Sequence, residues 1–80
     1  MKIPRDVSGK ELIKALKVYG YKVAGQNGNH IKVTTEQNGQ HHIAVPNHNP
    51  IKIGTLTGIW SEVAKHFGIT KEEVTRTLFG

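Results

Sequence analysis

Apolar and polar residues alternate through YKVAGQNGNHIKVTTEQNGQHHIAV, residues 21–45. The apolar positions recur at two-residue spacing in three segments, which are Tyr21 and Val23, Ile31 and Val33, and Ile43 and Val45. This period is typical of β-strands with one buried face. Asn-Gly dipeptides separate the segments and mark tight turns. The stretch therefore predicts three short antiparallel strands.

The register of these strands follows from the two connections, Gln26-Asn27-Gly28 and Gln37-Asn38-Gly39. A two-residue Asn-Gly turn in the second connection would place Val33 opposite Ala44 and mix the inward and outward sets. A three-residue loop with a left-handed glycine instead places Val33 opposite Ile43 and Ile31 opposite Val23. We therefore predict three-residue loops in both hairpins.

Helical patterns flank the strands on both sides. Before them, Ser8 and Glu11 form an S-x-x-E capping box, and Gly20 supplies a left-handed end to the helix. Between these ends, apolar residues recur at helical spacing, namely Leu12, Ile13, Leu16 and Tyr19. Lys10, Lys14 and Lys17 form a second stripe on this helix, either a solvated surface or an edge that faces phosphates.

After the strands, Pro46 ends the sheet and Thr55 is the predicted N-cap of a second helix. Its apolar positions are Leu56, Ile59, Trp60, Val63 and Phe67, and Gly68 ends it. A second capping box at Thr70 and Glu73, with Ile69 and Val74 as a hydrophobic staple, begins a short third helix that runs to about Phe79. The prediction is one α+β domain over residues 1–80, a two-layer α-β-β-β-α fold with a three-stranded antiparallel sheet and a short C-terminal helix.

The charge of the chain is positive and unevenly distributed. The formal net charge is +5, and residues 1–57 hold all of it, because residues 58–80 carry three basic and three acidic side chains. Such a surface attracts polyanions, foremost nucleic acid. The chain has no cysteine, which excludes disulfides and thiolate metal sites. With no long apolar run and no signal-peptide pattern in Met1–Asp6, we expect a cytoplasmic protein without a membrane span.

The open face of the predicted sheet carries the chemistry-bearing residues. Alternation assigns to it Lys22, His30, Lys32, Thr34, His42 and Ala44. The predicted register sets His30 opposite Ala24 and Pro46, with Lys22 opposite Lys32 one step away, and the loop with His48 leaves the third strand at the same end. An exposed imidazole between lysines suits a phosphodiester, although a solvated surface histidine is the simpler interpretation.

Metal-free cleavage of RNA requires groups that take and give protons close to neutral pH. One proton leaves the 2′-hydroxyl and another reaches the departing 5′-oxygen. Histidine titrates near ~6.5 when unperturbed, so both of its forms are present near neutrality. Lysines nearby stabilise the charge that develops on the phosphorane oxygens. His30 is therefore the candidate catalytic residue.

Several short motifs resemble the HicA (YcfA-like) mRNA interferase toxins over nearly the whole chain. They are Pro4, Gly9-Lys10-Glu11-Leu12, Leu16 to Gly20, Gly28-Asn29-His30, Val45-Pro46-Asn47-His48 and Lys52-Ile53-Gly54-Thr55-Leu56. The resemblance implies a fold like the double-stranded RNA-binding domain, ribosome-independent mRNA cleavage and inhibition by a HicB-like antitoxin. The essential histidine of the family lies in a Gly-Ser-His motif, which corresponds to Gly28-Asn29-His30. Asn29 replaces the small hydroxyl residue.

From charge and predicted position, RNA-binding roles are expected for five residues, Lys10, Lys14, Lys22, Lys32 and His48. Neither a cofactor nor a metal is expected, because the clustered histidines lack a carboxylate or cysteine at ligand spacing, and His41 is interpreted as a half-buried sheet residue. We expect the free chain to be a monomer.

Two alternatives remain from the sequence. One is a non-catalytic double-stranded RNA-binding module, although the start of the second helix lacks the lysines that such modules use. The other is a helix-turn-helix DNA-binding protein, suggested by residues 62–70. Its recognition helix would begin Lys71-Glu72-Glu73, and these carboxylates would be repelled by phosphates.

Overall fold

A computed structural model of the chain describes residues 6–79. The elements are α1 (Gly9–Leu16), a 3₁₀ turn (Lys17–Tyr19), β1 (Lys22–Asn27), β2 (His30–Thr35), β3 (His41–Pro46), α2 (Ile53–Phe67) and α3 (Lys71–Phe79). The three strands form one antiparallel sheet in the order β1-β2-β3. The predicted α+β fold is confirmed. The segment searched for a signal-peptide pattern lies, apart from Asp6, outside the described residues.

Both ends of the first helical segment form as predicted. The Ser8 hydroxyl accepts a hydrogen bond from the Glu11 amide at 3.1 Å, and the Glu11 carboxylate accepts one from the Ser8 amide at 3.2 Å. Gly20 ends the 3₁₀ turn with φ at 81°. The Thr35 hydroxyl donates to the Tyr19 carbonyl at 2.7 Å, so the end of this segment is fixed against β2.

The predicted register of β2 and β3 is confirmed. Val33 pairs with Ile43, and His30 pairs with Pro46 at the other end of the ladder. In the connecting loop, Asn38 and Gly39 both have positive φ, at 56° and 95°, which asparagine and glycine tolerate better than other residues. Side-chain alternation is therefore continuous across these two strands.

The predicted register of β1 and β2 is wrong. Val23 pairs with Val33 rather than with Ile31, and Asn27 rather than Ala24 pairs with His30. The turn is two residues long, Gly28 and Asn29, with the glycine at φ 62°. A bulge at Ala24, between Val23 and Gly25, takes up the extra residue and restores the alternation. An uninterrupted two-residue period has no place for that extra residue, which is why the prediction failed here.

The bulge changes what stands opposite the lysines. Lys22 pairs with Thr34, and Lys32 pairs with Gly25, so the predicted Lys22–Lys32 pair is wrong and the two residues are diagonal neighbours. Val23 is 57% exposed, against the prediction that it points into the core, and every other residue of β1 is exposed as well.

Helix α2 begins earlier than predicted. Its first residue is Ile53 and its N-cap is Lys52, with no side-chain cap, so Thr55 is not the N-cap. Gly68 ends the helix with φ at 66°, as predicted. At the start of α3 the Glu73 amide donates to the Thr70 hydroxyl at 3.1 Å, which is one half of the predicted capping box.

The hydrophobic core lies between the helices and one face of the sheet. Its buried members are Val7, Leu12, Ile13, Leu16, Tyr21, Ile31, Val33, Ile43, Val45, Ile51, Leu56, Ile59, Trp60, Val63, Ala64 and Val74. The indole nitrogen of Trp60 donates to the Thr75 hydroxyl at 2.7 Å and joins α2 to α3. On the opposite face of the sheet, Lys32, His42 and Ala44 are exposed. Within residues 6–79, no helix is long and apolar enough to span a membrane.

Candidate active site

A groove of about 380 Å³ opens at the end of the sheet where β2 begins and β3 ends. Its lining residues come from three segments of the chain, and they are His30, Ala44, Pro46, His48, Lys52 and Thr55. His30, His48 and Lys52 are exposed. The fold therefore brings two imidazoles and an ammonium group to one solvent-accessible groove.

The position of His30 is determined by the turn before it and the strand beside it. His30 is the first residue of β2, directly after the Gly28-Asn29 turn, and it pairs with Pro46. The Asn47 amide donates to the Asn29 carbonyl at 2.6 Å. This hydrogen bond uses the backbone of Asn29, so the replacement of the hydroxyl residue found in the resembling family leaves it intact.

The position of His48 is determined by backbone contacts with the segment around α1. The Gly9 amide donates to the His48 carbonyl at 2.9 Å, and the Ile51 amide donates to the Val7 carbonyl at 2.8 Å. A β-carbon at Gly9 would lie 2.5 Å from the Pro46 carbonyl oxygen, a distance that forces a rearrangement. Glycine is thus required where the start of α1 approaches the end of β3.

The groove is an electropositive environment. Lys52 precedes α2, and the first turn of that helix contains no acidic residue, so the positive end of the helix dipole is uncompensated there. Lys32 lies two residues beyond His30 on β2, and Lys22 lies diagonally across from Lys32. Both lysines are exposed on the open face. The arrangement favours an anionic ligand.

The two remaining predicted RNA-binding residues, Lys10 and Lys14, lie at different distances from this groove. Lys10 follows Gly9, whose amide contacts His48, and so lies at the groove end of α1. Lys14 lines a different groove, beside Leu78 and Phe79 of α3. Lys52 and Thr55 line the groove although sequence reasoning missed them as site residues. Their motif, Lys52-Ile53-Gly54-Thr55-Leu56, is the signal that could have found them, but the helix-cap interpretation of Thr55 hid it.

A second histidine cluster occupies the other end of the sheet and is closely packed. The rings of His41 and His66 stack with centroids 4.5 Å apart, and the Tyr21 hydroxyl lies 2.8 Å from Nδ1 of His41. Nε2 of His66 lies 2.9 Å from the carbonyl oxygens of both Gln37 and Gly39. Because carbonyls only accept, this nitrogen carries a proton and donates.

The environment of this cluster shifts two pKa values. Burial foremost, and the Glu62 carboxylate second, raise the pKa of Tyr21 to about 12. Burial also lowers the pKa of His41, and the neighbouring His66 and His42 lower it further, against an opposing effect of Glu62. His41 is half-buried, as predicted. The hydrogen bonds of this cluster are made within the protein, although His41 and His66 also line a groove of about 440 Å³ together with Glu62 and Lys65.

No group of three or more histidine, aspartate or glutamate side chains could hold a metal ion within residues 6–79. The carboxylate oxygens and extra imidazoles that a metal would require are absent from the lining of the groove with His30. The groups that line the groove can transfer protons and bind anions.

The fold and the groove define a class, the small basic α+β domain with an exposed histidine site at one end of its sheet. A family model described as the HicA toxin of bacterial toxin–antitoxin systems matches residues 9–69. The chain therefore belongs to the HicA toxin family, and its role is that of the toxin of a toxin–antitoxin system, with an antitoxin as partner. No curated protein and no solved structure is significantly similar to the chain.

Proposed function

We propose that this toxin is an endoribonuclease that binds mRNA and cleaves it without a metal, with His30 as a general acid or base. The observation that carries the proposal is the groove in which the exposed His30 side chain shares a cavity with His48 and Lys52. A phosphodiester has the charge that lysine attracts and the protons that imidazole can move.

The reaction proposed is an internal transesterification. The 2′-oxygen attacks the adjacent phosphorus, its proton passes to a base, the bond from phosphorus to the 5′-oxygen breaks, and that oxygen takes a proton. The products are a 2′,3′-cyclic phosphate and a 5′-hydroxyl end. Lys52 is the lysine that lines the cavity itself, and its charge would stabilise the phosphorane oxygens.

Binding of the RNA is proposed to extend from the groove across the open face of the sheet. Lys22 and Lys32 are exposed there, and each would attract a backbone phosphate. His48 would contact the RNA within the groove, and Lys10 at its margin. Lys14 faces the groove beside α3, so its contribution is expected to be long-range attraction only.

The antitoxin is proposed to be HicB-like and to cover the open face around His30. The uncovered face is basic, so an acidic segment of the antitoxin would be attracted to it at long range. An antitoxin bound there would exclude RNA from the groove. The toxin itself is proposed to be a cytoplasmic monomer, with the whole chain as one domain, when no antitoxin is bound.

A helix-turn-helix function is disfavoured by the charges on α3. Its first turn carries Glu72 and Glu73, both exposed, where a recognition helix would meet the phosphates of DNA. The third candidate, a non-catalytic RNA-binding module, uses the same basic face and differs from the proposal only in lacking cleavage.

The experiment that tests the proposal incubates RNA with the protein, maps any cleavage site, and then compares that RNA with a copy that carries a single 2′-deoxy nucleotide at the site. Both RNAs are incubated with the protein in the presence of a chelator, which removes divalent metal ions. We expect cleavage of the first to a 2′,3′-cyclic phosphate and no cleavage of the second, because its internal nucleophile is missing. Binding of both substrates without cleavage of either would contradict the enzyme and favour the binding module.

A further inference from the structure

We propose that His48 is the second proton-transfer residue of the site, so that His30 and His48 act as a general acid–base pair. The inference rests on the proposed function and deepens it. It assigns to His48 a chemical role in place of the RNA-binding role expected from the sequence.

The two histidines are held together by the backbone of the segments that carry them. The 2.6 Å hydrogen bond from the Asn47 amide to the Asn29 carbonyl joins the residues directly before each histidine. The His48 carbonyl is held in turn by the Gly9 amide at 2.9 Å. Both side chains line the same cavity, so a substrate in that cavity would meet both rings.

Their ring nitrogens are available to a substrate. Within residues 6–79, the histidine rings that form hydrogen bonds are those of His41, His42 and His66. His30 and His48 are not among them, and both are exposed. An imidazole that already donates to a backbone carbonyl, as His66 does, cannot exchange that proton with a substrate without breaking a structural hydrogen bond.

The composition of the groove makes the pair sufficient for the reaction. Besides the histidines, the lining consists of Ala44, Pro46, Lys52 and Thr55, so the groove has no other imidazole and no carboxylate among the lining residues that the structure describes. Its volume of about 380 Å³ greatly exceeds the ~30 Å³ of one water, which leaves room for a phosphate and part of a ribose.

The proton balance of the reaction requires two groups in opposite states. The neutral histidine takes the proton of the 2′-hydroxyl as the bond from the 2′-oxygen to phosphorus forms. The charged histidine gives its proton to the 5′-oxygen as the bond from phosphorus to that oxygen breaks. Each cleavage leaves the pair with its protonation states exchanged, and exchange with solvent restores them.

A bridging-sulfur substrate tests the pair directly. It carries sulfur in place of the 5′-oxygen at the mapped cleavage site, and a thiolate leaves without a proton from a general acid. Cleavage of this substrate and of the natural RNA is measured for the parent, His30→Ala, His48→Ala and His48→Gln. His42→Ala is the matched control, since His42 is exposed on the same face and bonds to Thr34 at 2.7 Å.

On natural RNA, we expect His48→Ala and His48→Gln to lower kcat/KM by ~10²- to 10⁴-fold, the usual contribution of a proton-transfer group. The pH–rate profile should be bell-shaped in the parent and lose one limb in each single variant. On the sulfur substrate, the variants of one position should cleave at about the parent rate, because the general acid is no longer needed. The variants of the other position, which carries the general base, should stay slow. His42→Ala should keep the parent's bell-shaped pH–rate profile and the parent's response to sulfur, whatever it loses in RNA affinity.

Three results would overturn the inference. They are parent-like cleavage of natural RNA by both His48 variants, sulfur rescue of both positions, and sulfur rescue of neither. The variants' thermal unfolding, expected to match the parent, separates loss of chemistry from loss of fold. A parent protein that cleaves no RNA would overturn the proposed function, and the inference with it. This result can be told apart from failure of the inference alone, because the parent and all variants would then be inactive.

Discussion

The two ends of the sheet hold histidines in opposite circumstances. At one end His30 and His48 are exposed in a groove with Lys52. At the other end of the sheet, His41 and His66 stack on each other. Here His66 binds the loop that connects β2 to β3. The two ends are about 17 Å apart, the length of five residue steps along a strand. The difference between the two ends shows that the contacts of an imidazole, rather than its presence in the sequence, separate a reactive candidate from a structural residue.

The largest effect on stability is expected at the packed end. His66→Ala removes the hydrogen bonds to the Gln37 and Gly39 carbonyls and the stack on His41, together worth about 1–2 kcal/mol. For a domain of this size each kcal/mol shifts Tm by about 4–8 °C. Thermal unfolding measures the shift. His42→Ala, with one exposed bond to Thr34, is the control and should change Tm little.

The RNA-cleavage rate of His66→Ala also tests the comparison between the two ends of the sheet. His66→Ala should retain the parent rate of RNA cleavage below its Tm, because the packed cluster lies at the far end of β3 from the groove. A His66→Ala protein that is folded but inactive would contradict the division of the two ends.

The dependence of stability on pH should come from the packed end as well. The pKa of Tyr21 is about 12 in the fold against 10.0 as the ordinary value, so its contribution is complete below pH 10 and is lost as the pH rises toward 12. The pKa of His41 lies below its ordinary 6.5, so its contribution is complete above pH 6.5 and is lost on acidification.

Unfolding midpoints measured across this range test the assignment. The parent should show its plateau between these limits, and Tyr21→Phe should reduce the loss above pH 10; only the alkaline side is compared, because the variant also removes the hydroxyl 2.8 Å from Nδ1 of His41. An alkaline loss that is equal in both proteins would mean that another group, such as a lysine, is responsible.

The smallest effect is expected from the charges of the open face. Exchange of both Lys22 and Lys32 for Gln should weaken RNA binding a few-fold, because each lysine is proposed to neutralise a phosphate. The slope of log K against log salt should fall by about 0.7 for each phosphate that the variant no longer neutralises. Lys14→Gln is the control with the same change of charge per residue. An equal effect from Lys14→Gln would place the RNA on the helical layer instead.

The sequence predicted the part of the fold that depends on regular repetition. The register of β2 and β3 could be found because alternation is unbroken from Ile31 to Val45. The register of β1 was missed although Gly25 is a signal for a bulge, because a glycine inside a strand often marks one; the alternation alone does not say which residue is the extra one. The bulge displaced each predicted partner of β1 but left Ile31 and Val33 in the core.

The sequence predicted the positions of the candidate site residues that depend on the sheet, but not of those that depend on α2. Alternation assigned His30 to the open face, and the end of β3 at Pro46 brought His48 near it. Lys52 and Thr55 depend instead on where α2 begins. That start lies at Ile53 without a side-chain cap, so the usual capping signal misplaced it.

The central claim is that the exposed end of the sheet carries the chemistry through His30. The most direct measurement is the rate at which His30→Ala cleaves one mapped RNA, beside the parent and at equal saturation with RNA. We expect the rate to fall by ~10²- to 10⁴-fold, with RNA affinity and Tm close to those of the parent because His30 is exposed beside a turn. Cleavage by His30→Ala at the parent rate would contradict the claim.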